Sequence, residues 1–148
     1  MPIDFKKYAQ EGDKFLASYA KELGSRDDMA KAGRILRASL HALRGFLSTE
    51  ENLQLLAQLP MFLKALYVEN WTLKKPKKTK RSRDLLFQVR KADNRSAVVD
   101  FESNEEVERA VSVLFIVLRK YVSLGELEDV KALLPKKYKA LASAGVLL

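Results

Sequence analysis

The feature that most constrains the fold is an internal similarity at a spacing of 75 residues. Residues 34–67 align with residues 109–142 without a gap, and 11 of the 34 aligned positions are identical. Many of the other positions exchange one apolar residue for another. Since a repeated segment is one structural unit used twice, we expect two related halves, residues 1–71 and 83–148, joined by a linker at residues 72–82.

Apolar residues recur at helical spacing in both halves. The first such run extends from Phe5 to Leu23, and Gly24 is suited to end that helix. Ser25 is expected to begin the second helix. Residues 97–101 are the one strand candidate, and they are too few to form a sheet alone. We therefore predict a single domain over the whole chain, an all-α, internally duplicated helical bundle of about seven to eight helices.

Two serine-to-glutamate spacings mark further helix starts at equivalent positions of the halves. They are Ser48 with Glu51 and Ser123 with Glu126. In a capping box the serine hydroxyl accepts a hydrogen bond from the backbone N–H of the glutamate, and the glutamate carboxylate accepts one from the backbone N–H of the serine. The sequence predicts this arrangement twice.

The central helices of the two halves differ in polarity. Residues 107–122 are apolar on almost every side, which is typical of a buried core helix. The helix over residues 30–46 keeps a polar stripe within an arc of about 140°, so we expect it to pack on one side only. We call this the basic stripe, and it consists of Lys31, Arg34, Arg37, His41 and Arg44.

The positive charge is concentrated in one short segment. The chain has 27 Lys and Arg against 19 Asp and Glu, a net charge of +8. Seven of the cations lie within residues 74–83, where there is no acidic residue, so the other 138 residues carry a net charge of +1. We call this segment the basic linker, and its cations are Lys74, Lys75, Lys77, Lys78, Lys80, Arg81 and Arg83.

The basic stripe and the basic linker are both candidate anion-binding sites. The linker offers phosphate contacts whose strength would depend on salt. No aromatic residue interrupts the chain between Trp71 and Phe87, so stacking on single-stranded bases is not supported and weak, non-specific nucleic-acid binding is expected. The alternative is a solvated helix face, with Arg34 and Arg44 paired to carboxylates, and a flexible linker extended by self-repulsion.

Two aromatic residues near the end of the first half are candidate interaction anchors. Tyr67 and Trp71 belong to residue types that are enriched at the energetic centres of protein interfaces. The alternative for Trp71 is that its ring folds back over the helix end and covers the junction between the halves.

The composition excludes several kinds of chemistry. There is no cysteine, which rules out disulfides, thiol nucleophiles and cysteine-ligated metals. The single histidine, His41, has no partner for a metal or catalytic site in its neighbourhood. The acidic clusters begin helices, where carboxylates offset the helix dipole, and common nucleotide-binding and hydrolase motifs are missing. We expect no enzymatic activity, no metal and no cofactor.

The chain also lacks signals for membranes or export. Residues 1–12 have no apolar run of the kind a secretory signal needs. The longest strongly apolar stretch, Ala110–Leu118, has nine residues, whereas a spanning helix needs about twenty. We expect a cytoplasmic protein with no membrane partner, and both a monomer and a homodimer stay open.

Two segments carry a resemblance to a known family. HALRGFLSTEENLQLLAQLPMFLKALYVENW covers residues 41–71, and GELEDVKALLP covers residues 125–135. Together with the linker cations before RDLLFQV, they resemble the bacterial family catalogued as domain of unknown function 2267. Asn70 stands where that family usually has glycine, and asparagine tolerates the left-handed conformation needed after a helix. The resemblance implies an all-helical, internally duplicated domain and implies no activity.

Taken together, these features favour a non-catalytic helical module that binds a protein partner of unknown identity. The alternative is an anion- or nucleic-acid-binding module that uses the basic linker and the basic stripe. These two hypotheses differ in the surface they require, an apolar groove in one case and free cations in the other. A third hypothesis, an enzyme or small-molecule carrier, requires a deep pocket that joins the two halves.

Overall fold

The regular elements in the described part of the chain are all helical, as the sequence predicts. The computed structural model describes residues 2–74 and 77–146. Within these ranges lie eight helices of at least eight residues and one of a single turn, with no strand. The helices are α1 (Phe5–Leu23), α2 (Met29–Arg44), α3 (Thr49–Gln58), α4 (Met61–Val68), α5 (Leu85–Asp93), α6 (Ala97–Asp100), α7 (Asn104–Leu118), α8 (Leu124–Leu133) and α9 (Lys139–Val146), with 3₁₀ turns at Asn94–Ser96 and Lys136–Tyr138.

Local signals set several helix ends. Gly24 closes α1 with a φ of 83°, in the left-handed region that glycine adopts without steric penalty. Asn70 follows α4 with a φ of 57°, as expected from its tolerance of that region. The predicted start of the second helix at Ser25 is wrong. Ser25 lies in the turn between α1 and α2, where its backbone bonds to Ala20 and Asp28. Asp28 caps α2 instead, because its carboxylate accepts a hydrogen bond from the Lys31 N–H at 3.0 Å.

Helix α7 is the core of the bundle, as its all-round apolarity predicts. Val107, Leu114 and Phe115 have no exposed surface, and α1, α2, α5 and α9 pack around the helix. The hydroxyl of Tyr19 in α1 donates to the backbone oxygen of Ala110 at 2.8 Å, which satisfies both groups inside the core. Of the helices that the structure describes, none has both the length and the apolarity required to cross a membrane.

Helix α2 is far more buried than the sequence predicts. It contacts α1, α4, α5 and α7, so the expectation that it packs on one side only is wrong. The physical reason is its small residues, because Ala32, Ala38, Ser39 and Ala42 are buried and allow close approach of neighbouring helices. A pattern judged by large apolar side chains alone misses this second packing face.

Equivalent helices of the two halves begin 75 residues apart. This holds for α2 with α7 and for α3 with α8. A contact repeats at the same spacing, since Lys64 Nζ donates to the Ala57 oxygen at 3.2 Å and Lys139 Nζ donates to the Ala132 oxygen at 2.8 Å. The duplication itself stays a prediction that rests on the sequence.

Candidate functional site

An apolar groove opens between α1, α2 and α4. Its volume is about 410 Å³, within the range of binding sites for small ligands or short helical segments. The groove exists because α4 packs on α1 and α2 without filling the space above the first half of α2. Its apolar wall consists of Ala9, Leu16, Met29, Ala30, Leu36, Phe62, Leu63 and Leu66.

Two helical glycines shape the groove in different ways. A Cβ on Gly12 of α1 would lie 3.3 Å from the Phe62 Cβ, so this glycine allows α1 and α4 to approach closely. A Cβ on Gly33 of α2 would have no described atom within 4 Å beyond the adjoining turns of its own helix. Glycine inside a helix costs about 1 kcal/mol relative to alanine, and Gly33 has no close neighbour that requires it.

Large apolar side chains remain exposed where the groove opens. Met29 is 40% exposed and Phe62 is 44% exposed, although both residues line the groove. Scattered apolar residues on a surface are ordinary, but apolar residues grouped around a concave site indicate a binding surface.

Two arginines of α2 line the groove and are held by carboxylates. Arg34 makes a bidentate contact with Asp100 of α6, through Nε at 3.0 Å and a terminal nitrogen at 2.8 Å. The Nε atom of Arg37 lies 2.9 Å from a carboxylate oxygen of Glu69, and both side chains are about half exposed. The α2 side of the groove therefore carries two ordered guanidinium groups, whose charges are balanced by Asp100 and Glu69.

A buried carboxyl pair holds Arg34 in place. Burial alone would raise the pKa of Asp100, but hydrogen bonds from Arg34 and Asp93, with the charge of Arg34, lower it below its usual value. Burial, reinforced by the hydrogen bond and charge of Asp100, raises the pKa of Asp93 to about 7. Asp100 therefore carries the negative charge that Arg34 neutralises, and Asp93 is protonated more readily than an ordinary aspartate.

The basic stripe is not a row of free cations. Besides the two paired arginines, Arg44 donates to the backbone oxygens of Tyr67 and Glu69, each at 2.7 Å, and so caps the end of α4. Lys31 is half-buried at the start of α2. The expected pairing of Arg34 with a carboxylate is confirmed, whereas Arg44 pairs with backbone oxygens instead.

His41 adds no positive charge to the stripe at neutral pH. Burial lowers its pKa, an effect that the hydrogen bond to Leu66 opposes. Its Nε2–H donates to the Leu66 backbone oxygen at 2.8 Å. The histidine therefore acts as a hydrogen-bond donor that joins α2 to α4, and its role in anion binding stays a prediction.

The described lysines of the basic linker are exposed, whereas its two arginines contact aromatic rings of the helical bundle. Lys74, Lys77, Lys78 and Lys80 are exposed, and Lys75 lies outside the described residues. The Arg81 guanidinium lies 4.7 Å from the centre of the Phe87 ring. Arg83 lies 5.0 Å from the ring of Phe46 and donates to the Leu133 backbone oxygen at 3.1 Å.

The two predicted interaction anchors have different outcomes. Tyr67 has no exposed surface, and its hydroxyl donates to the side-chain oxygen of Asn52. The prediction that Tyr67 contacts a partner is wrong, because exposing its ring would require α4 to leave the core. Trp71 is half-buried just after α4, so part of its ring is accessible and its role as an anchor stays a prediction.

The two predicted capping boxes are only half formed, and their glutamates meet each other instead. Ser48 and Ser123 accept the expected backbone N–H groups at 3.1 and 3.2 Å. The carboxylate oxygens of Glu51, Glu126 and Asp129 lie within 4.8 Å of one another. Burial, with the hydrogen bond and charge of Glu51 and the charge of Asp129, raises the pKa of Glu126 to about 8.

These three carboxylates are the described groups that could hold a cation, since divalent cations prefer several oxygen ligands. Glu126 is only 6% exposed and protonated at neutral pH. A protonated carboxyl is a poor metal ligand, so the arrangement favours a proton on Glu126 over a bound cation.

The raised pKa of Glu126 predicts a pH-dependent stability. Because Glu126 binds its proton more tightly in the folded chain, its contribution to the free energy of unfolding falls as pH rises from about 4.5 to about 8, by at most about 1.4 kcal/mol per pH unit. We expect Glu126→Gln to flatten this slope and to be more stable than the parent at pH 9. Urea unfolding at a series of pH values measures both effects.

The matched control is Glu128→Gln on the same helix, where the side chain is exposed. It should keep the parent's slope. Equal slopes for Glu126→Gln and the parent would show that Glu126 does not hold a proton in the folded state. Part of the slope is expected to persist in either variant, because Asp93 titrates with a pKa of about 7.

Sequence reasoning missed the residues that build the groove. The sequence pattern did not single out Met29 or Phe62, and their exposure depends on how α4 packs. One feature of the sequence could have indicated the groove. Gly33 lies inside a predicted helix that is otherwise rich in strong helix formers, and no turn at that position requires a glycine.

Comparison with known proteins identifies a family for the chain. No curated protein matches the chain. Residues 12–141 match the family model described as "Uncharacterized conserved protein (DUF2267)". Since this match covers most of the chain and agrees with the resemblance noted at residues 41–71 and 125–135, the protein belongs to the DUF2267 family.

Proposed function

We propose that the protein is a non-catalytic interaction module that binds one amphipathic helix of a partner protein in the groove between α1, α2 and α4. The observation that carries the proposal is the open apolar wall above Gly33, with Met29 and Phe62 exposed at its edge. Helix binding in an apolar groove is a recurrent mode of protein recognition.

The dimensions of the groove favour a short helical segment. The part of α2 that lines it, from Met29 to Arg37, spans about 12 Å at 1.5 Å per residue. That length accommodates two to three turns of a ligand helix, which presents apolar residues at positions i, i+3 or i+4, and i+7.

The charges along the groove select an orientation for the ligand. Arg34 and Arg37 lie on the α2 side, and Asp13 lies on the α1 side. Arg37 is the more available of the two arginines, since its exposed pairing with Glu69 is weakly held. The partner helix should carry acidic residues on the side that lies against α2.

A substitution at Gly33 tests the proposal without damage to the core. Because the space at Gly33 is open and leucine favours helices, Gly33→Leu should fill the groove and raise the free energy of unfolding by about 0.5–1 kcal/mol. The probe is a phage-displayed library of helix-forming peptides, selected on the parent protein. Anisotropy of labelled winning peptides should show at least tenfold weaker binding to Gly33→Leu.

The control is Gly125→Ala, a helical glycine of α8 with open space around it and no part in the groove. It should bind the selected peptides as the parent does. The proposal would be abandoned if the library yielded no binder, or if the winners bound Gly33→Leu with unchanged affinity. Winners with apolar residues at helical spacing and acids on one side would support it.

The alternative function, anion or nucleic-acid binding by the basic linker and basic stripe, keeps support from the linker alone. Lys77, Lys78 and Lys80 are exposed and available for phosphate contacts. The stripe contributes less than predicted, because Arg34 is neutralised by Asp100 and Arg44 caps α4. The apolar groove is therefore the better-supported site.

A further inference from the structure

A second pocket lies where the basic linker meets the second half. Its volume is about 420 Å³, comparable to that of small-molecule sites. One face of α5, the linker residues just before it, the first residue of α7 and the 3₁₀ turn at Lys136–Tyr138 form its walls. None of its residues lines the groove between α1, α2 and α4.

Three cations from separate parts of the chain converge on this pocket. They are Arg81, Arg90 and Lys137. The Arg81 guanidinium lies on the Phe87 ring at 4.7 Å. A terminal nitrogen of Arg90 donates to the side-chain oxygen of Asn104 at 2.8 Å. These contacts position both guanidinium groups before any ligand arrives, which lowers the entropy lost on binding.

Asp84 is the one carboxylate in the described lining, and it already accepts two hydrogen bonds from the protein. Asp84 accepts the backbone N–H of Phe87 at 3.2 Å as the cap of α5, and it accepts the Tyr138 hydroxyl at 2.9 Å. Three cations against this one carboxylate leave two positive charges in excess around the pocket. Such an excess in a concave site requires an anion of similar charge.

We propose that this pocket binds the phosphate monoester group of a small organic molecule, with Arg81, Arg90 and Lys137 as its phosphate ligands. A phosphate monoester carries a charge of about −1.5 to −2 at neutral pH, which matches the excess on the pocket. Guanidinium groups suit phosphate because their N–H donors match its oxygen geometry. Leu86 and Phe87, which are half-buried, provide apolar surface for the organic part of the ligand.

The pocket fits a small monoester better than a nucleic-acid backbone. A phosphodiester carries a single negative charge and leaves one cation of the pocket without a partner. The three cations also lie around one concave site, whereas a backbone requires a row of cations along a surface. Nucleic-acid binding is therefore an outcome that the experiment must distinguish.

Titration calorimetry with phenyl phosphate as the probe tests this proposal. Phenyl phosphate should bind with a Kd below about 1 mM, and phenyl sulfate, a monoanion of similar shape, should bind at least tenfold more weakly. Arg90→Gln and Lys137→Gln should each weaken phenyl phosphate binding at least fivefold. The matched control is Lys91→Gln, an exposed cation of α5 outside the pocket, which should bind like the parent.

Thermal unfolding of each variant checks that the fold is retained, and amide chemical shifts of Phe87, Asn104 and Tyr138 should move on titration. The proposal is overturned if phenyl sulfate and phenyl phosphate bind alike, if Lys91→Gln weakens binding as much as Arg90→Gln, or if no binding is detected. It is also overturned if a single-stranded oligonucleotide binds through these residues and phenyl phosphate does not.

Discussion

A Gly145→Ala variant is expected to lose about 3 kcal/mol of unfolding free energy, the largest effect of any single methyl group we consider. Gly145 lies on α9 where that helix crosses the core helix α7. A Cβ at this position would lie 2.8 Å from the backbone carbonyl carbon of Phe115 and closer still to its oxygen. The obstacle is backbone inside the core, so a rotamer change cannot relieve the overlap and the two helices must move apart.

Urea unfolding followed by the fluorescence of the single tryptophan, Trp71, measures this loss. The control is Gly125→Ala in α8, where an added Cβ meets no described atom within 4 Å beyond the adjoining helix backbone. That variant should be equal to the parent or more stable by up to about 1 kcal/mol. If the two alanine variants had the same stability, α9 could not lie against α7 as the structure has it.

The second large effect is expected at Arg34. Arg34→Leu should lower the free energy of unfolding by about 3 kcal/mol at pH 8, because it leaves the fully buried carboxylate of Asp100 without its cation. Arg37→Leu on the same helix is the control, since the pair of Arg37 with Glu69 is half exposed and should be worth less than about 1 kcal/mol. Urea unfolding of both variants gives the comparison.

The pH dependence identifies the cause of this loss. In the parent, the lowered pKa of Asp100 contributes stability that is present above the pKa of the unfolded chain and is lost as pH falls through the folded value. Without Arg34, burial raises that pKa, so the folded variant takes up a proton. The deficit of Arg34→Leu should therefore shrink as pH is lowered from 8 towards 4.

Asp100→Asn in the Arg34→Leu background separates the charge from the packing. It should recover part of the stability at pH 8, because a neutral amide replaces an unpaired buried carboxylate. A deficit of Arg34→Leu that did not change with pH, or that equalled the deficit of Arg37→Leu, would contradict a charge-based role for this pair.

The features that sequence reasoning predicted correctly are local ones. Gly24 ends α1 and Asn70 follows α4 in the left-handed region, because each depends on the backbone preferences of one residue. Ser48 and Ser123 cap their helices through groups three residues away. The burial of α7 followed from its composition, since a helix without a polar face has nowhere else to lie.

The features that sequence reasoning missed depend on distant residues. Glu51 and Glu126 were expected to complete capping boxes within their own turns, yet α3 packs on α8 and brings the two carboxyls together. Tyr67 was expected at an interface, but its hydroxyl meets Asn52 inside the bundle. In each case the side chain contacts a residue of another helix, and the sequence near it does not identify that residue.

The sequence by itself determined that the chain is helical, where α1 ends and where α3 and α8 begin, and that residues near Leu114 form the core. Periodicity and capping act within a few residues, so a linear sequence records them. The tertiary structure decided that Asp100 neutralises Arg34 and that Gly33 lies beneath an open groove. It also decided that Arg81, Arg90 and Lys137 share one pocket. Those relations depend on how helices pack across the bundle, and no spacing along the chain specifies that packing.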